Sequence, residues 1–291
     1  MKQLFIASLL VLASGVQAET KISDPDWTFK DDFEGARNAN FWTGGHMSSY
    51  GQSCPGTTGT KGAKTVTFTY DISDPKVTEP DDSWAEFRFK LPFKTTQLEM
   101  SYDLYVPANY THAINNHKFF EIWGGTYGGF RTNVQIGSES WGTSGGATPS
   151  LNLAVDKFNM GHSMLATKKP ILKDKAGTWQ RIQVYIELAT GPGDYGKVEI
   201  YKNGEFFTGT HHPDIVGREY APPLPQQIKY STMGNALEQG YLLGWMNGGP
   251  LPGVTTVFCI DNFEMNLREA VGSANRNVVA VPSPPADLKL D

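Results

Sequence analysis

The chain has 291 residues, of which 30 are acidic and 25 basic, for a formal net charge of −5, and 39% of them are hydrophobic. A mildly acidic chain is not an obvious nucleic-acid binder, and past the N-terminus no segment approaches the ~20 apolar residues of a membrane helix. Two cysteines are too few for a disulfide-dense scaffold, and the length fits one large all-β domain.

In chain order, Lys2 precedes an apolar run from Leu4 to Ala13, and Val16-Gln17-Ala18 places small residues where a signal peptidase cuts. Residues 1–18 therefore read as a signal peptide and imply a secreted protein, extracellular or periplasmic. The domain is expected over residues 19–266. Residues 267–291 lose all periodicity and read as a flexible tail or linker. Export makes a bond between Cys54 and Cys259 chemically possible; a buried thiol at Cys259 is the alternative.

The interior alternates with a period of two. Trp27 to Phe33 opens a strand, Val66 to Tyr70 makes a second and Trp84 to Lys90 a third. Leu98, Met100, Tyr102, Leu104 and Val106 then alternate with Glu99, Ser101, Asp103 and Tyr105. His117 to Ile136 reads as two strands about a glycine-rich turn, with Phe130, Thr132, Val134 and Ile136 on one face and Arg131, Asn133 and Gln135 on the other. Gln180 to Leu188 repeats the pattern, Asn203-Gly204 is a strong hairpin signal, and Tyr241–Trp245 and Thr256–Met265 close the domain. No stretch reads as a convincing helix. Strands with one dry and one wet face, and nothing else to cover them, must bury their dry faces against each other. The expected fold is a two-sheet antiparallel β-sandwich of jelly-roll type with a concave groove.

The wet rows carry the chemistry. Hydrolysis of a glycosidic bond needs two carboxylates at a set separation; Glu99 with Asp103 has strand spacing for it, and Asp261 with Glu264 would need a bulge. β-Elimination of a uronate polymer needs a cation or amide on the carboxylate, a base for the adjacent proton and an acid for the leaving oxygen. Arg131 and Gln135 suit the carboxylate, His117 the base, and Tyr185 the acid. Arg88, Lys90, Tyr105, Lys118, Trp123, Asn133, Trp141 and Arg181 are the candidate substrate contacts. Trp84, Trp123, Trp179 and Trp245, taken singly, read as core, whereas Trp141 sits among glycine and serine and reads as exposed. Glu34 and Asp261 are candidate ligands for structural Ca²⁺ away from the groove. No organic cofactor is expected.

A resemblance follows from these residues. Trp84-Ala85-Glu86-Phe87-Arg88-Phe89 is similar to the Arg-Ser-Glu-Leu-Arg strand of sandwich alginate lyases, and Tyr102 to Gly129 resembles the Tyr-x-Leu-Tyr…Trp-Gly-Gly block of related polysaccharide lyases. Gly240 to Trp245 and Phe258 to Phe263 resemble the end of heparin-lyase-like, concanavalin A-like domains. The chain departs from the alginate lyases at their Gln-Ile-His motif, since Gly137 follows Gln135-Ile136. The resemblance implies a lyase acting on an alginate- or glucuronan-type acidic polysaccharide; charge and the lack of a long apolar run give no nucleic-acid partner and no membrane span, and a monomer is expected. A non-catalytic carbohydrate-binding or adhesion sandwich is the alternative reading, and a glycoside hydrolase the third.

Overall fold

A computed structural model of the protein describes residues 20–71, 73, 76–77, 82–110, 116–125, 133–139, 150–155, 163–170, 175–188, 197–209, 215–217, 236–246 and 254–270. They form β1 (Trp27–Asp31), β2 (Trp42–His46), β3 (Ser48–Gln52), β4 (Thr65–Tyr70), β5 (Ser83–Val106), β6 (Asn116–Trp123), β7 (Asn133–Glu139), β8 (Ser150–Val155), β9 (Ser163–Pro170), β10 (Thr178–Glu187), β11 (Lys197–Lys202), β12 (Glu205–Gly209), β13 (Ile215–Gly217), β14 (Leu237–Met246) and β15 (Thr256–Glu269). Every pairing among them is antiparallel. The described residues contain no helix.

The 24-residue β5 organises the rest. Its first half lies between β2 and β14, and its second half between β10 and β15. The change of neighbours falls at Leu91–Thr95, which contains Pro92, a residue with no N–H to give to a ladder. One strand thus belongs to two layers, and the hydrogen bonding is continuous from β12 to β13. The first layer holds β2, the first half of β5, β14, β6, β7, β8, β9 and β13; the second holds β12, β11, β10, the second half of β5 and β15, with β1, β4 and β3 beyond it.

The layers meet over one core. Ala85, Phe87 and Phe89 of β5, Phe120 and Ile122 of β6 and Leu242 of β14 share it with Leu98, Met100, Leu104, Ile182, Val184 and Phe258. Contacts across the layers are direct: the Trp42 and Phe263 rings lie 5.0 Å apart, and the His117 ring lies 5.1 Å from Phe258. The expected dry and wet rows therefore hold on both halves of β5. Asn203 (φ 52°) and Gly204 (φ 84°) are both left-handed, as a two-residue β11–β12 hairpin requires. Cys54 and Cys259 are disulfide-bonded and pack with Tyr105, Trp179 and Val257 on the outer side of the second layer. Strand pairing continues past residue 266 to Glu269, opposite Thr95.

Candidate active site

The wet face of the first layer carries a row of paired positions. Arg88 of β5 lies opposite Tyr241 of β14, Tyr241 opposite Glu121 of β6, and Glu121 opposite Gln135 of β7. Three strand spacings separate Arg88 from Gln135, roughly 14 Å. Phe120 and Ile122 fill the core from β6, so Glu121 and Trp123 project from the opposite face. Trp123 meets Tyr241 edge-on at 5.6 Å, in a small cluster separate from the main core.

Lys118 joins this row because β6 is irregular. Residues three apart on a regular strand point to opposite faces, but the register of β6 against β7 shifts between Lys118 and Phe120. Phe119 and Phe120 both enter the core as a result, and Lys118 returns to the face of Glu121. Its Nζ donates to Glu121 Oε2 at 3.2 Å and to the Tyr241 hydroxyl at 3.3 Å, while that hydroxyl donates a short hydrogen bond to Glu121 Oε2. Glu121 and Tyr241 are 2% and 1% exposed. A cation, a carboxylate and a phenol thus share one buried point.

β14 is shaped to receive them. Its register against β6 shifts between Leu242 and Met246, where Leu243 has φ 55° and Gly244 φ 145°. A Cβ on Gly244 would lie 2.8 Å from a Tyr241 ring carbon and 3.0 Å from Lys118 Cβ, so the close approach needs glycine. Tyr70 fixes the irregularity from the far layer: its hydroxyl donates to the Gly244 carbonyl at 2.9 Å and accepts from the Gly244 N–H at 3.3 Å. Beside Tyr241, Arg88 pairs through Nε with Glu86, which is buried and also accepts from Trp84 Nε1 at 2.9 Å.

The other expected site residues fall elsewhere. His117 is fully buried on the core side, amid Tyr70, Tyr110, Phe119 and Phe258, with Nδ1 3.3 Å from the Tyr110 hydroxyl. It and Tyr185 are not brought together, because β10 pairs with the second half of β5 and its wet row belongs to the second layer. There Tyr185 donates to Glu187 at 2.7 Å, and burial, reinforced by that carboxylate, raises the phenol above its ordinary range. Arg181 is also in the second layer, donating to Asp103 at 3.1 Å, Ser101 at 2.6 Å and the Asn262 carbonyl at 2.7 Å. Tyr105 packs by the disulfide. Glu99, the other half of the hydrolase spacing, accepts from Gln183 at 2.6 Å and from the Lys21 and Ile22 amides at 3.1 Å.

Lys90 is exposed further along the Arg88 row. Gln135 and Asn133 are placed by their backbone register, opposite Glu121 and Trp123. Arg131 and Trp141 lie outside the described residues. Glu34 and Asp261 both hold the 59–64 loop, accepting from the Lys64 N–H at 2.6 Å and the Lys61 N–H at 2.8 Å. Among the described residues no three His, Cys, Asp or Glu side chains gather as a metal set. Sequence reasoning missed Glu121 and Tyr241, which sit in strands whose bulges break the period-two pattern.

Solved structures share this architecture. An alginate lyase, Aly36B, in complex with alginate tetrasaccharide superposes with a TM-score of 0.53 at 12% identity, over 84% of this chain and 97% of the other. This is a jelly roll. The endo-β-1,4-glucuronan lyase of the fungus Trichoderma reesei matches this jelly roll with a TM-score of 0.51 at 12% identity, over 84% of this chain and 96% of its own. The sequence matches no family model and no curated protein. At such identity the likeness is one of fold, and the jelly roll's chemistry must be argued from its own residues.

Proposed function

We propose that the protein is a secreted polysaccharide lyase that cleaves a uronic-acid-containing polysaccharide, of alginate or glucuronan type, by β-elimination in a concave groove on the wet face of the first layer. The observation that carries this is the buried Lys118–Glu121–Tyr241 cluster beside Arg88. The leader at residues 1–18 supports export. Two structures of the same fold are named as lyases of uronate polymers, which supports the substrate class.

The cluster suits each need of the reaction. Lys118, with Arg88 one strand beyond Tyr241, neutralises the uronate carboxylate and so acidifies the proton on the adjacent carbon. Tyr241 transfers protons. The Lys118 ammonium that faces its oxygen favours the phenolate, against the Glu121 carboxylate that accepts its hydrogen bond. The phenolate takes the proton from C5, the electron pair left on C5 forms the C4=C5 double bond as the C4–O4 bond breaks, and the departing O4 takes the proton from the phenol. Glu121 positions both partners.

The test follows near-ultraviolet absorbance of the unsaturated uronate while mature protein acts on alginate, glucuronan, ulvan, pectate and heparin-type glycans. A rise on one polymer is expected, and Tyr241→Phe should lower the rate by about 10²–10⁴-fold while the protein stays folded. New reducing ends without unsaturation would make it a hydrolase. Retention on a glycan gel without any product would make it a binding domain.

A further inference from the structure

We propose that Trp84, Trp245 and His46 form a second sugar subsite on the same face as the Lys118–Glu121–Tyr241 cluster, stacking one pyranose ring of the polymer several units from the bond that is cleaved. Only its placement relative to that bond rests on the lyase reading. Trp84 lies directly opposite Trp245, as Arg88 lies opposite Tyr241, so both pairs share a face. From Arg88 to Trp84 is four residues along β5, about 13 Å.

The two indoles are neither core residues nor scattered surface aromatics. Their rings lie 6.2 Å apart, tilted by 34°, and the His46 ring lies 4.3 Å from that of Trp84. All three are partly exposed. Each indole N–H is anchored: Trp84 Nε1 donates to Glu86 at 2.9 Å and Trp245 Nε1 to Asp82 at 2.8 Å, and both carboxylates are buried. With their polar edges tied down, the rings present apolar faces that are fixed before any ligand arrives. A pyranose has an apolar C–H face and a hydroxyl rim, and Lys76, whose Nζ is 3.3 Å from His46 Nδ1, stands at the edge of the platform. Glu86 links the two sites, since it holds both Trp84 and Arg88. A chain laid along β5 from the cluster meets the platform only if it is long enough.

The test is affinity against chain length. Alginate and glucuronan oligosaccharides, from disaccharide to octasaccharide, are titrated by calorimetry into mature Tyr241→Phe protein, so that no turnover intervenes, with and without Trp84→Ala or Trp245→Ala. Each tryptophan loss should weaken the long chains by about tenfold and the disaccharide far less, whereas Trp84→Phe should keep most of the long-chain affinity. The same factor at every length, or none at any, overturns the subsite. A length-dependent loss in a protein that never yields an unsaturated product leaves the subsite and removes the lyase; elimination with a length-independent effect does the reverse. Failure of both oligosaccharide series to bind overturns both.

Discussion

Glu121 accepts from an ammonium and a phenol at one oxygen, Oε2. Replacing it with glutamine keeps the shape but removes the charge that aligns both donors. Glu121→Gln is expected to lower kcat by about 10²-fold with a much smaller change in KM; an equal effect on both would make it a substrate ligand. A second residue reports on pH. Burial raises the Asp31 carboxyl above its ordinary value of 3.8, against hydrogen bonds from Trp42, Phe33 and Tyr50 that lower it. The folded protein thus holds this proton more tightly than the unfolded chain. That stability is fully present below 3.8 and is lost as pH rises through the raised folded value. Urea midpoints of the native protein should therefore fall relative to Asp31→Asn as pH rises through this range, and parallel profiles would contradict it. Arg88 and Gln135 were legible in the sequence as polar members of wet rows, and Lys118 as a candidate substrate contact. Tyr241 was not, because it reads as one more aromatic of a buried strand.

Strand by strand, the sequence shows which positions are dry but hides where the alternation breaks. β10 and both halves of β5 follow their period. At β6 the slip after Lys118 moves a cation onto the site face, and at β14 Leu243 and Gly244 adopt positive φ that no apolar pattern announces. Tertiary contacts make these choices: Tyr70 reaches from β4 to hold Gly244, and no local signal predicts a partner 174 residues away. Gly244→Ala would strain the backbone and press on Tyr241 and Lys118. We expect a destabilisation of about 1–3 kcal/mol in urea unfolding, together with a loss of turnover per folded molecule. Unchanged turnover would detach the β14 irregularity from the site. The two-layer role of β5 was also hidden, since its halves read as separate strands on either side of Pro92.

Across the whole molecule, composition and alternation gave the class of fold correctly, while the distribution of wet rows between the layers depended on pairing. Arg181 and Tyr185 went to the second layer for that reason, since β10 pairs with the second half of β5. The disulfide was left open by the sequence and is formed between residues 205 apart. Closing so long a loop restricts the unfolded chain, and breaking it in Cys54→Ser/Cys259→Ser should cost about 2–5 kcal/mol by urea unfolding. A variant as stable as the native protein would mean that the packing of Tyr105 and Trp179 suffices there.

β15 has a temporal consequence. It is the shared neighbour of β1, β4 and the second half of β5, with Trp27 opposite Leu267 and Tyr70 opposite Thr256. A ribosome makes this strand after all of its partners, so three strand edges wait unpaired until it emerges. The second layer cannot close before residue 269 has emerged, and a nascent chain stalled before residue 256 presents open edges to its neighbours. Such a polypeptide stays threadable until β15 is made, and then folds at the slow pace set by distant pairings.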